Sequence, residues 1–498
     1  VRVTGKSLKS GGIRRHDVAF GLPSKGVCSL KEFFSMPNES LHVDLSLLKK
    51  YDRPGPRYTS YPTAPLFNQS FTAEDFKQEI IATNMYDSTS DISLYFHFPF
   101  CDTLCYFCGC TMLVTRDRSR IAEYLRYMKK EIETVAPLLN PRRTVAQIHW
   151  GGGTPTHLSP DEIRDMAEFI KASFHIDPEA EMSVEIDPRE LTQKHLGTLR
   201  HVGFNRMSMG IQDFDERVQK AVNRIQPEEM TLQVLRWAEA LDFESINVDL
   251  IYGLPFQTLR SFEETLRKTL HFRPERIAVF NFAHVPWMKP HQKLIHPEDL
   301  PSPGLKLDIL KMTIELLTSH GYEYIGMDHF AKPTDELAVA QKNKTLYRNF
   351  QGYSTKSGAD LYGFGMSSIS HFHDMYAQNE KNLQGYYNAL DEGKLATHVG
   401  YRMTADDHVR KHVILRLMCD LELDKRTVEK LFNIRFDEYF RASLDQLEQF
   451  AEDGLVELRD DTITISRTGR LVLRNIAMCF DAYLDKVGKE TPVFSRTV

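Results

Sequence analysis

Hydrophobic and polar positions are not spread evenly along this chain. Apolar residues concentrate in short β-rich runs: ISLYFHF (92–98), VAQIHW (145–150), MSVEID (182–187), NRMSMGIQ (205–212), SINVDLI (245–251) and RIAVFNF (276–282). Stretches of helical spacing separate them, the first being RIAEYLRYMKKEIETV (120–135), and this alternation predicts strand–helix units. One helix start is explicit, because Ser159-Pro160-Asp161-Glu162 offers an N-cap, a proline at the first helical position and a capping-box glutamate. Six βα units in succession imply a parallel sheet curled into a full or partial barrel, with working loops at the carboxyl ends of its strands. A doubly wound open sheet would place its loops similarly.

The unusual residues fall at those strand ends. Cysteines follow strand one and Gly151-Gly152-Gly153 follow strand two, while Glu185, Gln212 and Asp249 stand at strands three, four and five. From about residue 400 the texture changes to helical segments (HVRKHVILRLMCDL, FDEYFRASLDQLEQFAEDG), a hairpin pattern LVELRDDTITIS and a last helix from 468. That order predicts a mostly helical, winged-helix-like module. Four segments result: an extension over 1–44, a strap or lid over 45–91, the barrel and its extension over 92–395, and the C-terminal domain over 396–498.

Composition narrows the partners. A formal charge of −6 on 498 residues removes the electrostatic case for nucleic acid. No apolar run approaches the roughly 18 residues of a membrane span, so a cytoplasmic monomer is expected. The first 40 residues carry Arg2, Lys6, Lys9, Arg14 and Arg15 before the first acid, Asp17. A disordered tail, a cloning remnant, an upstream extension or a transit-like peptide all fit, and the last would direct the chain to an organelle.

Four of the seven cysteines, Cys101, Cys105, Cys108 and Cys110, lie within the ten residues CDTLCYFCGC. Thiols so close cannot staple distant loops, which argues for a reducing compartment. Structural zinc takes two separated cysteine pairs, and no second pair follows here. An iron–sulfur cluster suits a single winding loop, because each of several irons takes one thiolate. Three cysteines on a 4Fe–4S cubane would leave one iron open to a substrate or cofactor.

Cys101-x3-Cys105-Tyr106-Phe107-Cys108 after the first barrel strand resembles the signature of the radical S-adenosylmethionine (SAM) superfamily. With Cys110, GPRYTSYPT (55–63), HWGGGTPT (149–156), EIDPRE (185–190), MGIQDF (209–214), VNR (222–224), DLIYGLP (249–255), GMDHFA (326–331) and RNIAMCFDAYL, the chain from about residue 45 resembles the oxygen-independent coproporphyrinogen III oxidase family. That resemblance implies decarboxylation of the ring A and B propionates of coproporphyrinogen III to vinyl groups, giving protoporphyrinogen IX for heme. The implied agent is a 5'-deoxyadenosyl radical from SAM cleaved at the cluster.

Carried over by position, the resemblance makes Cys101, Cys105 and Cys108 the cluster ligands, Cys110 a non-ligand, and Tyr95 part of the reacting centre. Tyr95, Phe107, Gly152, Glu185, Ala283 and Ile369 would contact the SAM on the cluster. Gly153, Thr154, Gln212, Arg224 and Asp249 match the surroundings of a second SAM, and Ile251 joins the cofactor-binding set. Glu185 and Asp249 are acceptors for amino or hydroxyl groups, and Arg224 offers a planar fork to a carboxylate; each could instead cap a helix or pair locally. His97 either lines the site or is a core histidine. The substrate's four carboxylates call for cations, which makes Arg57 a candidate on a strap whose tyrosines could lie against the macrocycle. Electrons would come from a flavodoxin or ferredoxin system and leave to an acceptor that the sequence does not name. A heme chaperone and an anaerobic heme-degrading enzyme are the related alternatives; an iron–sulfur regulator is the alternative from another class.

Overall fold

The computed structural model describes residues 43–86, 90–486 and 494–497, so the extension expected over 1–44 lies almost wholly outside the described residues. Each alternating run forms a strand: β1 (Ile92–Phe98), β2 (Val145–Gly152), β3 (Ile176–Ile186), β4 (Arg206–Gln212), β5 (Ser245–Tyr252) and β6 (Arg276–Asn281). They pair in chain order, all in parallel. Helices α1 (Leu45–Tyr51) and α2 (Ala73–Tyr86) precede them. Between and after the strands come α3 (Arg118–Val135), α4 (Pro160–Ser173), α5 (Gln193–His201), α6 (Glu216–Ala221), α7 (Glu228–Ala240), α8 (Leu259–Phe272) and α9 (Pro303–Ser319). The Ser159 capping box is formed as its sequence predicts.

The pleat sorts each strand's residues by chemistry. On β4, Met207, Met209 and Ile211 are buried under helices, while Arg206, Ser208, Gly210 and Gln212 face the other way. Arg206 and Ser208 meet Gln147 and His149 of β2, Ser183 and Glu185 of β3, and Asn247 and Asp249 of β5 around one cavity of about 200 Å³. A single cavity bounded by one face of consecutive strands requires a curled sheet, so the partial barrel is realised and the open doubly wound arrangement is not.

Six further strands lengthen the sheet to 12. β7 (Glu323–Gly326) and β8 (His329–Ala331) close on β6 in antiparallel fashion. β9 (Asp360–Phe364) pairs in parallel with β1, and β10 (Ile369–Phe372), β11 (Met375–Asn379) and β12 (Thr397–Arg402) follow it as antiparallel neighbours. The sheet thus continues into the segment that the sequence assigns to the C-terminal domain. Beyond it, helices Ala405–Asp420, Lys425–Phe432 and Arg441–Glu452 and a small sheet of β13 (Glu422–Asp424), β14 (Val456–Leu458) and β15 (Thr462–Ile465) make the winged-helix-like module. Among the described residues no helix is long and apolar enough to cross a membrane.

The strap is pinned rather than free. Tyr58 and Tyr61 are each 2% exposed, and the Tyr58 hydroxyl donates to Asp481 at 2.9 Å. The Tyr61 hydroxyl accepts from the Ala482 amide at 3.0 Å. Buried Arg474 donates to the carbonyls of Gly55 and Pro56. Both tyrosines therefore belong to the protein's own core, whereas Arg57, just before them, reaches back to Asp328 beside β8.

Candidate active site

The cysteine loop leaves β1 at the carboxyl end of the barrel. Its ends are tied where Phe100–Cys101 pairs with Leu113–Val114, and an internal turn forms from the Cys108 amide to the Cys105 carbonyl at 3.1 Å. Beneath it Tyr106, Phe107 and Ile251 pack on a small core of Val218, Val222, Leu254, Phe282 and Ile295. The Val222 carbonyl accepts from the Tyr106 amide at 3.0 Å, and Asn223 donates to the Leu104 carbonyl at 2.8 Å.

Cys105 is buried between two guanidinium groups, Arg189 at 3.3 Å and Arg224 at 3.7 Å from its sulfur. Both arginines also grip Asp187, at 2.6 and 2.9 Å. Burial would raise the Asp187 pKa, but these arginines outweigh it and hold the carboxyl at about 2. Cys105 thus sits beside fixed positive charge. The Cys101 thiol lies 3.5 Å from the Thr154 hydroxyl.

The three glycines have a protein reason. Gly152 adopts φ +118°, and a Cβ there would fall 2.7 Å from the His97 ring. A Cβ on Gly153 would meet the Pro99–Phe100 backbone at 2.7 to 2.8 Å. The amides of Gly152, Gly153 and Thr154 donate to Glu185, Phe98 and Phe100 at 3.1, 2.8 and 2.8 Å. The triplet therefore seats β2 against the cysteine loop and fixes Glu185.

Glu185 also lies 3.3 Å from His149 Nε2, whose Nδ1 is 2.6 Å from the Ser183 hydroxyl. Burial pushes the Glu185 pKa up, yet His149 and the Gly152 amide together leave it lowered. Asp249 differs: burial outweighs its bonds from Asn247 and Ser208, the Glu185 charge adds to the effect, and its pKa rises to about 6. Tyr95 stacks on His149 at 5.8 Å and its hydroxyl is 3.0 Å from His97 Nδ1. His97 Nε2 is 2.9 Å from the Thr111 carbonyl. A carbonyl only accepts, so Nε2 carries the proton and Tyr95 donates to Nδ1. His97 is thus a neutral brace for the cysteine loop, its pKa lowered by burial.

At the end of β4 the pairing register shifts between Gly210 and Gln212, and Gln212 takes φ +69°, a bulge that re-aims a side chain at a site. Arg224 donates to the Gly210 carbonyl at 2.7 Å. Among the described residues Gln212 Oε1 and Arg224 Nε are buried polar atoms without a hydrogen-bond partner. Such atoms at a barrel mouth are open to a ligand. Ala283 opens on an apolar cavity of about 400 Å³ with His284 and Trp287. Ile369 lies beside Tyr95 through Gly363, which is in register with Tyr95 and packs on the Ile369 backbone. Arg57 pairs with Asp328 and lies 5.6 Å over the Phe280 ring at the lumen. Sequence reading named Glu185 but not Asp187 or Arg189; period two run past the strand end would have reached Asp187.

Among the described residues no three His, Cys, Asp or Glu side chains form a group that could hold one metal ion. Zinc needs its ligands converging on one point, whereas a cubane offers each thiolate a separate iron. Three cysteines on one loop, one of them flanked by arginines, fit the cluster.

Comparison with known proteins agrees. A family model described as the radical SAM superfamily matches residues 95–269, and one described as the HemN C-terminal domain matches 403–472. The oxygen-independent coproporphyrinogen III oxidase of Synechocystis sp. is 47% identical over 92% of this chain and 99% of its own length. That of Escherichia coli K12 is 46% identical over 93% of this chain and 100% of its own length. The chain belongs to the oxygen-independent coproporphyrinogen III oxidase family. The solved coproporphyrinogen III oxidase from Escherichia coli, described as a radical SAM enzyme, superposes with TM-score 0.85 over 90% of this chain and 100% of that one. In the present family member the radical SAM match starts on Tyr95, and the C-terminal match starts on Met403, one residue beyond β12.

Proposed function

We propose that this enzyme decarboxylates the ring A and B propionates of coproporphyrinogen III oxidatively, without dioxygen, giving protoporphyrinogen IX. The observation that carries this reading is the cysteine loop seated over a lumen whose inward strand positions are polar, in a chain 46–47% identical to oxidases of that name. A 4Fe–4S cluster held by Cys101, Cys105 and Cys108, with SAM, would supply the one-electron radical chemistry by which a propionate loses a hydrogen atom, CO2 and one electron to become a vinyl group.

The chain's own residues do the positioning. Cys101, Cys105 and Cys108 hold the cluster, with Arg189 and Arg224 beside Cys105 and Cys110 left off it. Glu185 is ionised and accepts from the SAM amino group; Tyr95, Phe107, Gly152, Ala283 and Ile369 complete its enclosure, with Ile251 behind Phe107. Gly153, Thr154, Gln212, Arg224 and Asp249 would hold a second SAM. The unpartnered atoms of Gln212 and Arg224 support that placement. Arg57 meets a substrate carboxylate. A flavodoxin- or ferredoxin-type carrier delivers the electrons, and the enzyme works as a monomer with the four-segment division described above.

The test is anaerobic. Reconstituted enzyme, SAM, reductant, coproporphyrinogen III and an electron-accepting extract are incubated, and the porphyrins are separated with mass detection. A mono-vinyl intermediate followed by protoporphyrinogen IX is the expected result. SAM cleavage with intact porphyrinogen would overturn the substrate and leave the radical chemistry.

A further inference from the structure

Past its carboxyl end β6 runs on into Phe282 and Ala283. Phe282, buried, belongs both to the small core on which Tyr106 and Phe107 of the cysteine loop pack and to the lining of the apolar cavity of about 400 Å³. That volume lies in the range of ligand pockets. Ala283, Leu300 and Leu307 continue the apolar wall, and Trp287, 53% exposed, belongs to it as well. The cavity is therefore one side chain away from the cysteine loop, at the end of the barrel where the chemistry occurs.

One ammonium group on this lining has no acid to pair with. Lys306 stands on α9, partly buried. Its Nζ donates to the Phe282 carbonyl over a long 3.4 Å, although an ammonium carries three donors. Gly253 has φ +86°, and a Cβ there would fall 2.9 Å from Lys306 Cε, so the glycine leaves room for the lysine stem. The other charged side chains of the lining, Asp52 and Arg496, pair with each other at 2.6 Å. Asp52 acts on Lys306 only at longer range, and among the described residues no carboxylate forms an ion pair with it. Burial lowers the Lys306 pKa, as it does for a cation held without a counter-charge. The cavity thus has apolar walls and a net charge of one cation, a combination that fits an apolar molecule bearing a carboxylate.

We propose that Lys306 anchors a propionate of coproporphyrinogen III that is not the one being decarboxylated, while the apolar wall carries the pyrrole bearing it. This rests on the substrate reading given above. That substrate sets four carboxylates on an apolar macrocycle, and Arg57 is already paired with Asp328, whereas Lys306 is unpaired. The reacting carboxylate is the wrong partner for Lys306. Loss of CO2 removes the charge that the ammonium stabilises, so such a pair would hold the reactant more tightly than the transition state. A bystander propionate keeps its charge throughout and is held equally at every stage, which sets affinity and leaves the chemical step alone.

The test uses Lys306→Met, Lys306→Arg and, as a charge control on the same helix outside the cavity, Lys311→Met. Reconstituted enzyme with SAM is dialysed to equilibrium against coproporphyrin III, the oxidised form of the substrate, and against its uncharged tetramethyl ester, and the free porphyrin is read by fluorescence. Lys306→Met should bind coproporphyrin III about tenfold more weakly and the ester as the wild type does. Lys306→Arg should recover most of the loss, and Lys311→Met should show none. In anaerobic turnover Lys306→Met should raise KM for coproporphyrinogen III about tenfold at unchanged kcat. Unaltered coproporphyrin affinity in Lys306→Met overturns the proposal, as does an equal loss for the ester, which would mean a collapsed cavity. A fall in kcat at unchanged KM overturns the bystander assignment. Wild-type enzyme that binds neither porphyrin would refute the substrate reading itself, a result separate from any difference between wild type and variants.

Discussion

Asp249 and Glu185 are both carboxylates facing the lumen of one barrel, on strands flanking β4, yet their pKa values move in opposite directions. Glu185 has a histidine and a backbone amide; Asp249 has only neutral donors and feels the Glu185 charge. The folded pKa of Asp249, about 6, lies above an unfolded value near 4, so its contribution is fully present below about pH 4 and is lost as pH rises through 6. Keeping it ionised above that range costs about 2–3 kcal/mol. Asp249→Asn should therefore raise the melting temperature of the metal-free protein by about 2–3 °C at pH 8. The gain should shrink as pH falls through 6 toward 4, by calorimetry; a pH-independent gain would refute this. Such a site holds charge at the expense of stability, as functional sites do. Residue type and spacing made Asp249, Glu185 and the cysteines legible. The brace of His97 on Thr111 and the Asp187–Arg189–Arg224 grip on Cys105 were not, because they join residues far apart in sequence.

At the scale of elements, alternation identified β1, β2, β4, β5 and β6 to within a residue or so. It placed β3 six residues late, since Ile176-Asp177-Pro178-Glu179 carries no strand pattern. β9 escaped it for the opposite reason: all of Asp360–Phe364 is buried, so no polar face marks a period. Besides its pairing with β1, that extension is tied to α3 by Glu131, a buried acceptor for the Gly365 amide at 2.7 Å, Asn379 at 2.6 Å and the Tyr386 hydroxyl at 2.6 Å. Glu131→Ala leaves three buried donors unanswered and should cost about 3 kcal/mol. The melting temperature of the metal-free protein should fall accordingly; an unchanged value would mean that strand pairing and packing hold the extension without it.

Across the whole molecule the strap is clamped to the C-terminal segment by Arg474, whose guanidinium spans the carbonyls of Gly55, Pro56 and Arg496. That clamp sets where Arg57 reaches the lumen. Arg474→Met keeps the bulk but removes the donors, so residues 52–63 should be cut faster in limited proteolysis. KM for coproporphyrinogen III should rise in this variant and in Arg57→Ala alike. Faster cutting with an unchanged KM in both would remove Arg57 from the substrate site.

By itself the sequence determined the strand–helix order, the end of the barrel that carries the chemistry, and the ligand loop, because each depends on local periodicity or on residues within ten positions. Only the tertiary structure decided that the Gly151–Gly153 triplet seats β2 against that loop, that Tyr58 and Tyr61 are core residues rather than substrate contacts of the strap, and that Arg224 pairs with Asp187. Those outcomes depend on close approaches between segments distant in the chain, and a close approach leaves no period to read.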